Sequence, residues 1–316
     1  MRYLDYAAAN DVPNIVVDGS PNDATVLTLT HWPGIAAPPG LARDLSAEMA
    51  FAYLDTPVEH PPADVVTNNH FDQDGLISIF TLIEPAGALA HRELLIDVAA
   101  AGDFATYHDR RAARAAMAIA TRGAAETTCS YSEFTNQLYT ELLPEVLPMA
   151  LDNDRYRDLW EAEDAELTAS EAAIASGAVA IEERPDLDLA IVTIAPDQPV
   201  RQGHRFGHDR FVGLHPMALH NATGRFRVLL IHGRSYRFVD RYETWVQYQS
   251  RPTLPRVDMR PLAEILTSLE TGAVVWSAGA PGDLAPELAP SDNSTIGRDV
   301  VVAALVEHLA APSLEH

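Results

Sequence analysis

The chain has 316 residues, enough for two domains, with 47% hydrophobic residues and a net charge of −23. A surface this acidic repels nucleic-acid backbones and anionic membranes, so we expect neither a long nucleic acid nor a membrane as a partner. The absence of lysine excludes a lysine Schiff base, and the single cysteine, Cys129, excludes an intramolecular disulfide and a cysteine-rich metal site.

The distribution of apolar residues favours a cytoplasmic protein. No apolar run approaches the length needed to cross a bilayer. The first residues lack the apolar core of a signal peptide, and residues 314–316 resemble a remnant of an expression tag.

The first predicted elements alternate between strand and helix. Short apolar runs at 14–17 and 25–30 predict buried strands, followed directly by Asp18 and His31. A helix is predicted over 41–54, and a third strand at Val65 and Val66. This alternation predicts an α/β fold with a doubly wound, mostly parallel sheet in the N-terminal domain.

The third strand leads into His70-Phe-Asp72-Gln-Asp74-Gly75. Alternate residues of an extended chain point the same way, so His70, Asp72 and Asp74 are predicted to share one face and bind a divalent ion, with Gly75 allowing a sharp turn. Two carboxylates and an imidazole suit Mn²⁺, Mg²⁺, Zn²⁺ or Fe²⁺. The alternative is a loop in which Asp72 caps the following helix, predicted over 76–83, and His70 is solvated.

Further ligands are expected near this motif. Ligands of open α/β sheets bind outside the carboxyl ends of the strands, so Asp18 and His31 are candidate metal ligands if their strands are neighbours. The alternatives are a turn residue for Asp18 and a core histidine for His31. Asp103, between helices predicted over 90–101 and 110–122, is a third candidate; the alternative for its loop is helix capping by Asp109.

The C-terminal part has a different pattern. Residues 131–176 are predicted to be helical, interrupted at Pro144 and Pro148, with an acidic stretch typical of a solvated connector. A hairpin is predicted from 178–184 and 187–194, followed by strands at 225–231, 235–248 and 274–276 and helices at 258–271 and 296–309. We therefore expect a metal-binding α/β domain over 1–125, a helical connector over 126–176, and a smaller α+β domain over 177–313 that binds substrate.

One segment of the second domain is rich in arginine and histidine. Because arginine matches phosphate and carboxylate oxygens, this segment is predicted to bind a small anionic substrate and to face the metal across a cleft; the alternative is an ordinary surface loop. Its candidate residues are Arg201, His204, Arg205, His208 and Arg210.

The motif from His70 to Ser78 resembles the first motif of the DHH phosphoesterase superfamily, which commonly reads His-x-Asp-x-Asp-Gly-x-x-Ser between a strand and a helix. The resemblance implies that His70, Asp72 and Asp74 ligate catalytic metal ions, usually manganese. It covers about a dozen residues; the chain has neither the family's Asp-His-His triplet nor its Gly-Gly-Gly-His motif.

These observations favour a metal-dependent hydrolase, a phosphoesterase acting on a small phosphorylated molecule or a short nucleotide. Two alternatives remain open. The spacing of His70 and Asp72 with a distant histidine also fits a mononuclear iron oxygenase, although such enzymes usually have all-β barrels. In the second alternative the acidic turn is structural, the second domain mediates association, and the protein is a non-enzymatic binding protein.

Overall fold

The computed structural model describes residues 1–56, 58–199 and 214–311. The chain forms two compact units, the first from Met1–Ala165 and Val246–Pro252, the second from Glu166–Trp245 and Thr253–His316. The predicted connector, 126–176, is therefore divided between the two units after Ala165. The expected tag remnant lies outside the described residues.

The first unit contains a four-stranded sheet in which every pair of neighbouring strands is parallel. Its strands are β1 (Arg2–Tyr3), β2 (Asn14–Val17), β3 (Thr25–Leu29) and β4 (Val65–Thr67). They are arranged in the order β1-β4-β2-β3. Ile15, Val16 and Val17 are all fully buried, as expected of a strand covered on both faces. The predicted α/β class with a parallel sheet is thereby confirmed.

Among the described residues, eight helices and the first part of a ninth belong to this unit, because the ninth is divided between the two units after Ala165. They are α1 (Tyr6–Ala9), α2 (Ser46–Asp55), α3 (Gln73–Ile83), α4 (Pro85–Ala90), α5 (Arg92–Asp103), α6 (Arg110–Gly123), α7 (Tyr131–Leu142), α8 (Val146–Leu151) and α9 (Arg157–Ala175). The interruption predicted at Pro144 is present as a 3-10 turn at Leu143–Glu145. The interruption predicted at Pro148 is wrong, because Pro148 lies in the first turn of α8, where a proline breaks no hydrogen bond of the helix. A second 3-10 turn lies at Asn153–Tyr156. Helix α3 is buried from Gln73 to Leu82, so it forms the centre of this unit rather than a surface layer.

The second unit contains a six-stranded mixed sheet. Its strands are β5 (Val179–Arg184), β6 (Leu189–Ile194), β7 (Arg227–His232), β8 (Ser235–Asp240), β9 (Trp276–Ala278) and β10 (Glu287–Pro290), in the order β5-β6-β7-β8-β10-β9. Only the β6–β7 pair among them is parallel. Its helices are α10 (Pro216–Ala222), α11 (Arg260–Leu269) and α12 (Arg298–Ala310), with 3-10 turns at Pro185–Leu187 and Tyr242–Thr244.

Two separate hydrophobic clusters cover the faces of this mixed sheet. Alternate residues of β6 point to opposite faces, so Leu189 and Ile191 join one cluster while Ala190 and Val192 join the other. The first cluster includes residues of α11 and α12, and the second includes Leu219 of α10. The predicted hairpin is present as the antiparallel pair β5–β6.

Several predicted boundaries are wrong. Helix α2 begins at Ser46 rather than at residue 41, because Asp74 accepts hydrogen bonds from the first two backbone N–H groups of the helix. Strand β8 ends at Asp240 rather than at 248, because the chain turns away to form the part of the first unit at Val246–Pro252. Strand β10 was not predicted. Within 1–56, 58–199 and 214–311, no helix is long and apolar enough to cross a membrane.

Gly75 is required for a reason other than the predicted sharp turn. It lies inside the first turn of α3, where a Cβ atom would come within 2.3 Å of Asn68 Nδ2 and 2.7 Å of the Tyr139 hydroxyl. Such distances are too short for any real contact, so only glycine allows α3 to pack this closely against these two side chains.

Replacing Gly75 by alanine should destabilise the protein by about 1–3 kcal/mol through overpacking, despite the higher helix propensity of alanine. Gly123→Ala is a matched control, since the added methyl would meet Phe71 at an ordinary 3.4 Å. Urea unfolding of both variants measures the difference. Equal stability of Gly75→Ala and the wild type would contradict the proposed close packing.

Candidate metal centre

Acidic and imidazole side chains that follow three parallel strands lie at one edge of the first sheet. Asp18 directly follows β2, His31 lies two residues beyond β3, and His70 lies three residues beyond β4. Because parallel strands end at the same edge, these side chains come together there. They belong to two groups in which the ligand-type atoms all lie within 4.8 Å of one another.

The first group, the closed group, consists of Asp18, His31, Asp74 and Asp103, all of them buried. Nε2 of His31 lies 3.4 Å from Asp18 Oδ1, 3.5 Å from Asp103 Oδ2 and 3.9 Å from Asp74 Oδ2. Three buried carboxylates around one imidazole repel one another strongly unless a cation or protons neutralise them.

The second group, the open group, consists of Asp18, His70 and Asp72. Nε2 of His70 lies 2.8 Å from Asp72 Oδ2 and 3.5 Å from Asp18 Oδ2. The side chains of His70 and Asp72 are 20% and 31% exposed, so this group is reached by solvent whereas the closed group is not. A partly exposed set of three ligands leaves room for water or substrate on a bound ion.

Asp18 belongs to both groups and directs one carboxylate oxygen to each. Its Oδ1 accepts a hydrogen bond from the Ser46 hydroxyl, whereas its buried Oδ2 has no hydrogen-bond partner among the described residues. Burial and the nearby Asp72 and Asp74 carboxylates raise the pKa of Asp18 well above its ordinary value. Its backbone is left-handed, with φ of 45°, which aspartate and asparagine tolerate better than most residues.

The ring of His31 is oriented by the backbone. Its Nδ1 lies 2.5 Å from the Asp44 carbonyl oxygen, which can only accept, so Nδ1 carries a proton and Nε2 faces the carboxylates. A metal-binding histidine characteristically donates its other N–H in this way. His31 is therefore a buried histidine, as its alternative interpretation expected, and it is also one of the candidate ligands of the closed group.

Asp74 faces the closed group from the first turn of α3. Its two carboxylate oxygens also accept hydrogen bonds from the backbone N–H groups of Ser46 and Ala47, at 2.8 and 2.7 Å. Burial, together with the Asp72 charge, outweighs these bonds and raises the pKa of Asp74 to about 6. The residue thus combines a structural contact at the start of α2 with a position among candidate ligands.

The predicted common face of His70, Asp72 and Asp74 is wrong in its geometry. Asp72 is the N-cap of α3 and accepts a hydrogen bond from the backbone N–H of Gly75, so the chain is already helical at Asp74. A helical turn directs Asp74 away from the direction of its i−2 neighbour. The three residues are consequently divided between the two groups, which Asp18 connects.

His70 and Asp72 form a charged pair. Burial by itself lowers the pKa of His70, but the carboxylates of Asp72, Asp18 and Asp74 outweigh burial and raise it to about 9. Burial likewise favours the neutral form of Asp72, yet the His70 charge keeps the pKa of Asp72 below its ordinary value. A cap at Asp72, the alternative interpretation, is present, but His70 is bonded rather than simply solvated.

Asp103 is the last residue of α5 and is buried beside His31. The negative end of a helix dipole disfavours a carboxylate at this position, so a neighbouring cation would stabilise it. The prediction placed Asp103 after the end of the helix, but the structure continues α5 through it. Asp109, in contrast, caps α6 by accepting a hydrogen bond from the Arg111 backbone N–H, as its alternative interpretation expected.

The predicted anion-binding residues Arg201, His204, Arg205, His208 and Arg210 lie outside the described residues. Their role in substrate binding stays a prediction. Sequence reasoning missed Ser46 and the backbone role of Asp44, because neither residue has a metal-binding spacing. Their only local signal was their position at the start of a predicted helix.

The spacing of these side chains is compatible with bound metal. Neighbouring ligands of one ion bound at about 2.1 Å lie roughly 3.0–3.4 Å apart, close to most separations found here. The unpartnered Asp18 Oδ2 is the kind of buried atom that a bound ion satisfies. The four carboxylates of Asp18, Asp72, Asp74 and Asp103 also match the charge of two divalent ions. The described residues therefore could hold metal, with oxygen ligands predominating.

The two groups each contain one histidine. The oxygenase alternative requires two imidazoles and one carboxylate around a single iron ion, and neither group has that composition. Within residues 1–56, 58–199 and 214–311, neither group contains a second histidine.

Comparisons with known proteins identify the family of this chain. No curated protein matches the chain, and no solved structure matches it. A family profile described as "Family of unknown function (DUF6687)" matches residues 1–305, nearly the whole sequence. The chain therefore belongs to DUF6687, a family of unknown function.

Proposed function

We propose that this protein is a metal-dependent phosphoesterase, with two Mn²⁺ ions held by the closed and open groups. The observation that carries the proposal is the position of Asp18, which contributes one oxygen to each group. The likeness of the segment from His70 to Ser78 to the first motif of DHH phosphoesterases supports it. The oxygen-rich ligand set also suits Mn²⁺ and Mg²⁺ better than iron or copper.

The closed group would hold one ion through Asp18, His31, Asp74 and Asp103, and the open group the other through Asp18, His70 and Asp72. When bound, such ions polarise a phosphoryl oxygen and lower the pKa of a water molecule that attacks phosphorus. The partial exposure of His70 and Asp72 makes the open group the side on which substrate would bind.

The residues of the chain have separate tasks in this proposal. Asp18 holds the two groups together, and the Asp44 carbonyl keeps Nε2 of His31 directed at the other residues of the closed group. His70 donates its Nε2–H to the Asp72 carboxylate, so this proton has to be displaced before both side chains can act as ligands. A small phosphorylated molecule or short nucleotide is the proposed substrate, because the net charge of −23 repels longer polynucleotides.

The test is metal content and hydrolysis in one preparation. Protein purified without chelator should contain two divalent ions per chain, and metal-free protein should hydrolyse para-nitrophenyl phosphate or its diester only after Mn²⁺ is added. His70→Ala should lose one ion and lower the rate about a hundredfold or more, since a metal ion contributes several kcal/mol to transition-state stabilisation.

The matched control is His108→Ala, in which the removed side chain is 96% exposed. This variant should keep both ions and full activity. Protein that binds no metal at all would overturn the proposal in favour of a non-enzymatic binding protein. Retention of a single iron ion without phosphoester hydrolysis would favour the oxygenase alternative.

A further inference from the structure

A short segment from far along the sequence contacts the loop that carries His31. Residues 246–252, here called the strap, are part of the first unit, although the residues on both sides of it, Trp245 and Thr253, belong to the second unit. The loop it contacts, residues 30–45, has no helix or strand between β3 and α2. The position of such a loop depends on bonds from outside it.

Gln247 bonds to this loop at three carbonyl groups. Its backbone N–H donates to the carbonyl of His31 at 2.7 Å, and its Nε2 donates to the carbonyls of Trp32 and Ile35 at 2.5 and 2.6 Å. One side-chain amide thus fixes the backbone directly after a candidate metal ligand.

Asp44 connects the strap to the His31 ring itself. Its carboxylate accepts hydrogen bonds from the backbone N–H groups of Gln249 and Ser250, at 2.5 and 2.9 Å, and from the Ser250 hydroxyl. Its carbonyl oxygen accepts from Nδ1 of His31. The residue that orients the imidazole is therefore itself held by the strap.

The strap also contacts the neighbourhood of a second ligand. The ring of Tyr248 packs edge-on against Phe104, with centroids 5.6 Å apart, and Phe104 directly follows Asp103. Phe104 in turn lies 6.3 Å from the His31 ring. These contacts place the strap beside His31 and Asp103, both of which belong to the closed group.

We infer that Asp44 and Gln247 are positioning residues for metal binding by the closed group, and that the strap is the element that holds them. This inference rests on the metal binding described under the proposed function. Neither residue belongs to the closed or the open group, and each acts by fixing His31. Outer-shell partners of this kind typically change metal affinity by about 10–100-fold.

The experiment isolates the closed group first. His70→Ala removes a ligand of the open group, so the remaining Mn²⁺ affinity, measured by equilibrium titration of metal-free protein, reports the closed group. Adding Asp44→Ala or Gln247→Ala in that background should weaken Mn²⁺ binding about tenfold or more. Gln247→Glu is nearly isosteric but opposes a carboxylate to two carbonyl oxygens, so it should have the same effect without creating a cavity.

The control for loss of general stability is Glu270→Ala. Glu270 is another carboxylate that holds a distant segment, accepting from the Thr295 backbone N–H and from the hydroxyls of Ser294 and Thr295 in the second unit. The Glu270→Ala substitution should lower the free energy of unfolding without changing the affinity for Mn²⁺. Near-ultraviolet circular dichroism shows that each titrated variant is folded.

The outcomes separate this inference from the proposed function. Weaker binding in the Asp44 and Gln247 variants but not in Glu270→Ala supports it. Wild-type metal binding with unchanged affinity in Asp44→Ala and Gln247→Glu would overturn the inference and leave the proposed function standing. Failure of the wild type to bind Mn²⁺ would overturn both.

Discussion

Replacing Asp18 by asparagine should remove both metal ions at once, the largest loss expected from any single substitution. Asp18 is the one residue shared by the closed and open groups, so the loss of its charge affects both. Asparagine tolerates the left-handed backbone at this position and can accept the Ser46 hydrogen bond, so the fold should survive. Mn²⁺-dependent hydrolysis should fall about a thousandfold or more, because two Lewis acids are lost together.

A control with the same chemistry and backbone exists in the second unit. Asp188 is also buried and left-handed, with φ of 51°, and Asp188→Asn should leave metal content unchanged. Elemental analysis measures the number of metal ions per chain in both variants. If Asp18→Asn retained one tightly bound ion, the two groups would not depend on a common ligand.

The second large effect concerns Asp74 and pH in metal-free protein. Its folded pKa of about 6 lies above the ordinary value of 3.8, so the native state binds the extra proton between these values. This proton stabilises the folded state by about 3 kcal/mol. The stabilisation is fully present below about pH 4 and is lost as the pH rises through about 6. Bound Mn²⁺ should reverse this loss, because it stabilises the ionised form.

Asp74→Asn provides the measurement, since asparagine does not titrate. The difference in unfolding free energy between wild type and variant, determined by urea titration with chelator present, should shift by about 3 kcal/mol from pH 4 to pH 7, the wild type losing stability. The variant should also carry a pH-independent cost of about 1 kcal/mol, because Asp74 accepts from the first N–H groups of α2. A constant difference across pH would contradict the buried, protonated Asp74.

This structural contact affects which variants are suited to testing metal binding. A candidate ligand with no other contact could be replaced without affecting the fold. Because Asp74 also caps α2 from 28 residues away, its removal should lower stability as well as metal binding. Substitutions at His70 and Asp18 therefore test metal binding with less effect on stability than a substitution at Asp74.

The sequence by itself determined the strand-and-helix order of the first unit and most candidate ligands. Continuous apolar runs identified β2 and β3, and the polar residues that follow them, Asp18 and His31, were identified because strand ends of a parallel sheet share an edge. These features are local: an apolar run, a capping aspartate or a proline acts on its own segment whatever lies elsewhere in the chain.

Only the tertiary structure decided how the candidate ligands are grouped. The separation of Asp74 from His70 and Asp72 depends on where α3 begins, and the contacts of Asp44 and Gln247 join segments about 200 residues apart. Such contacts leave no periodic or compositional signal, because each partner satisfies its own local pattern equally well without the other. The division into a closed and an open group therefore arises from packing, which brings β2, β3, α3 and α5 to one edge and buries some carboxylates more deeply than others.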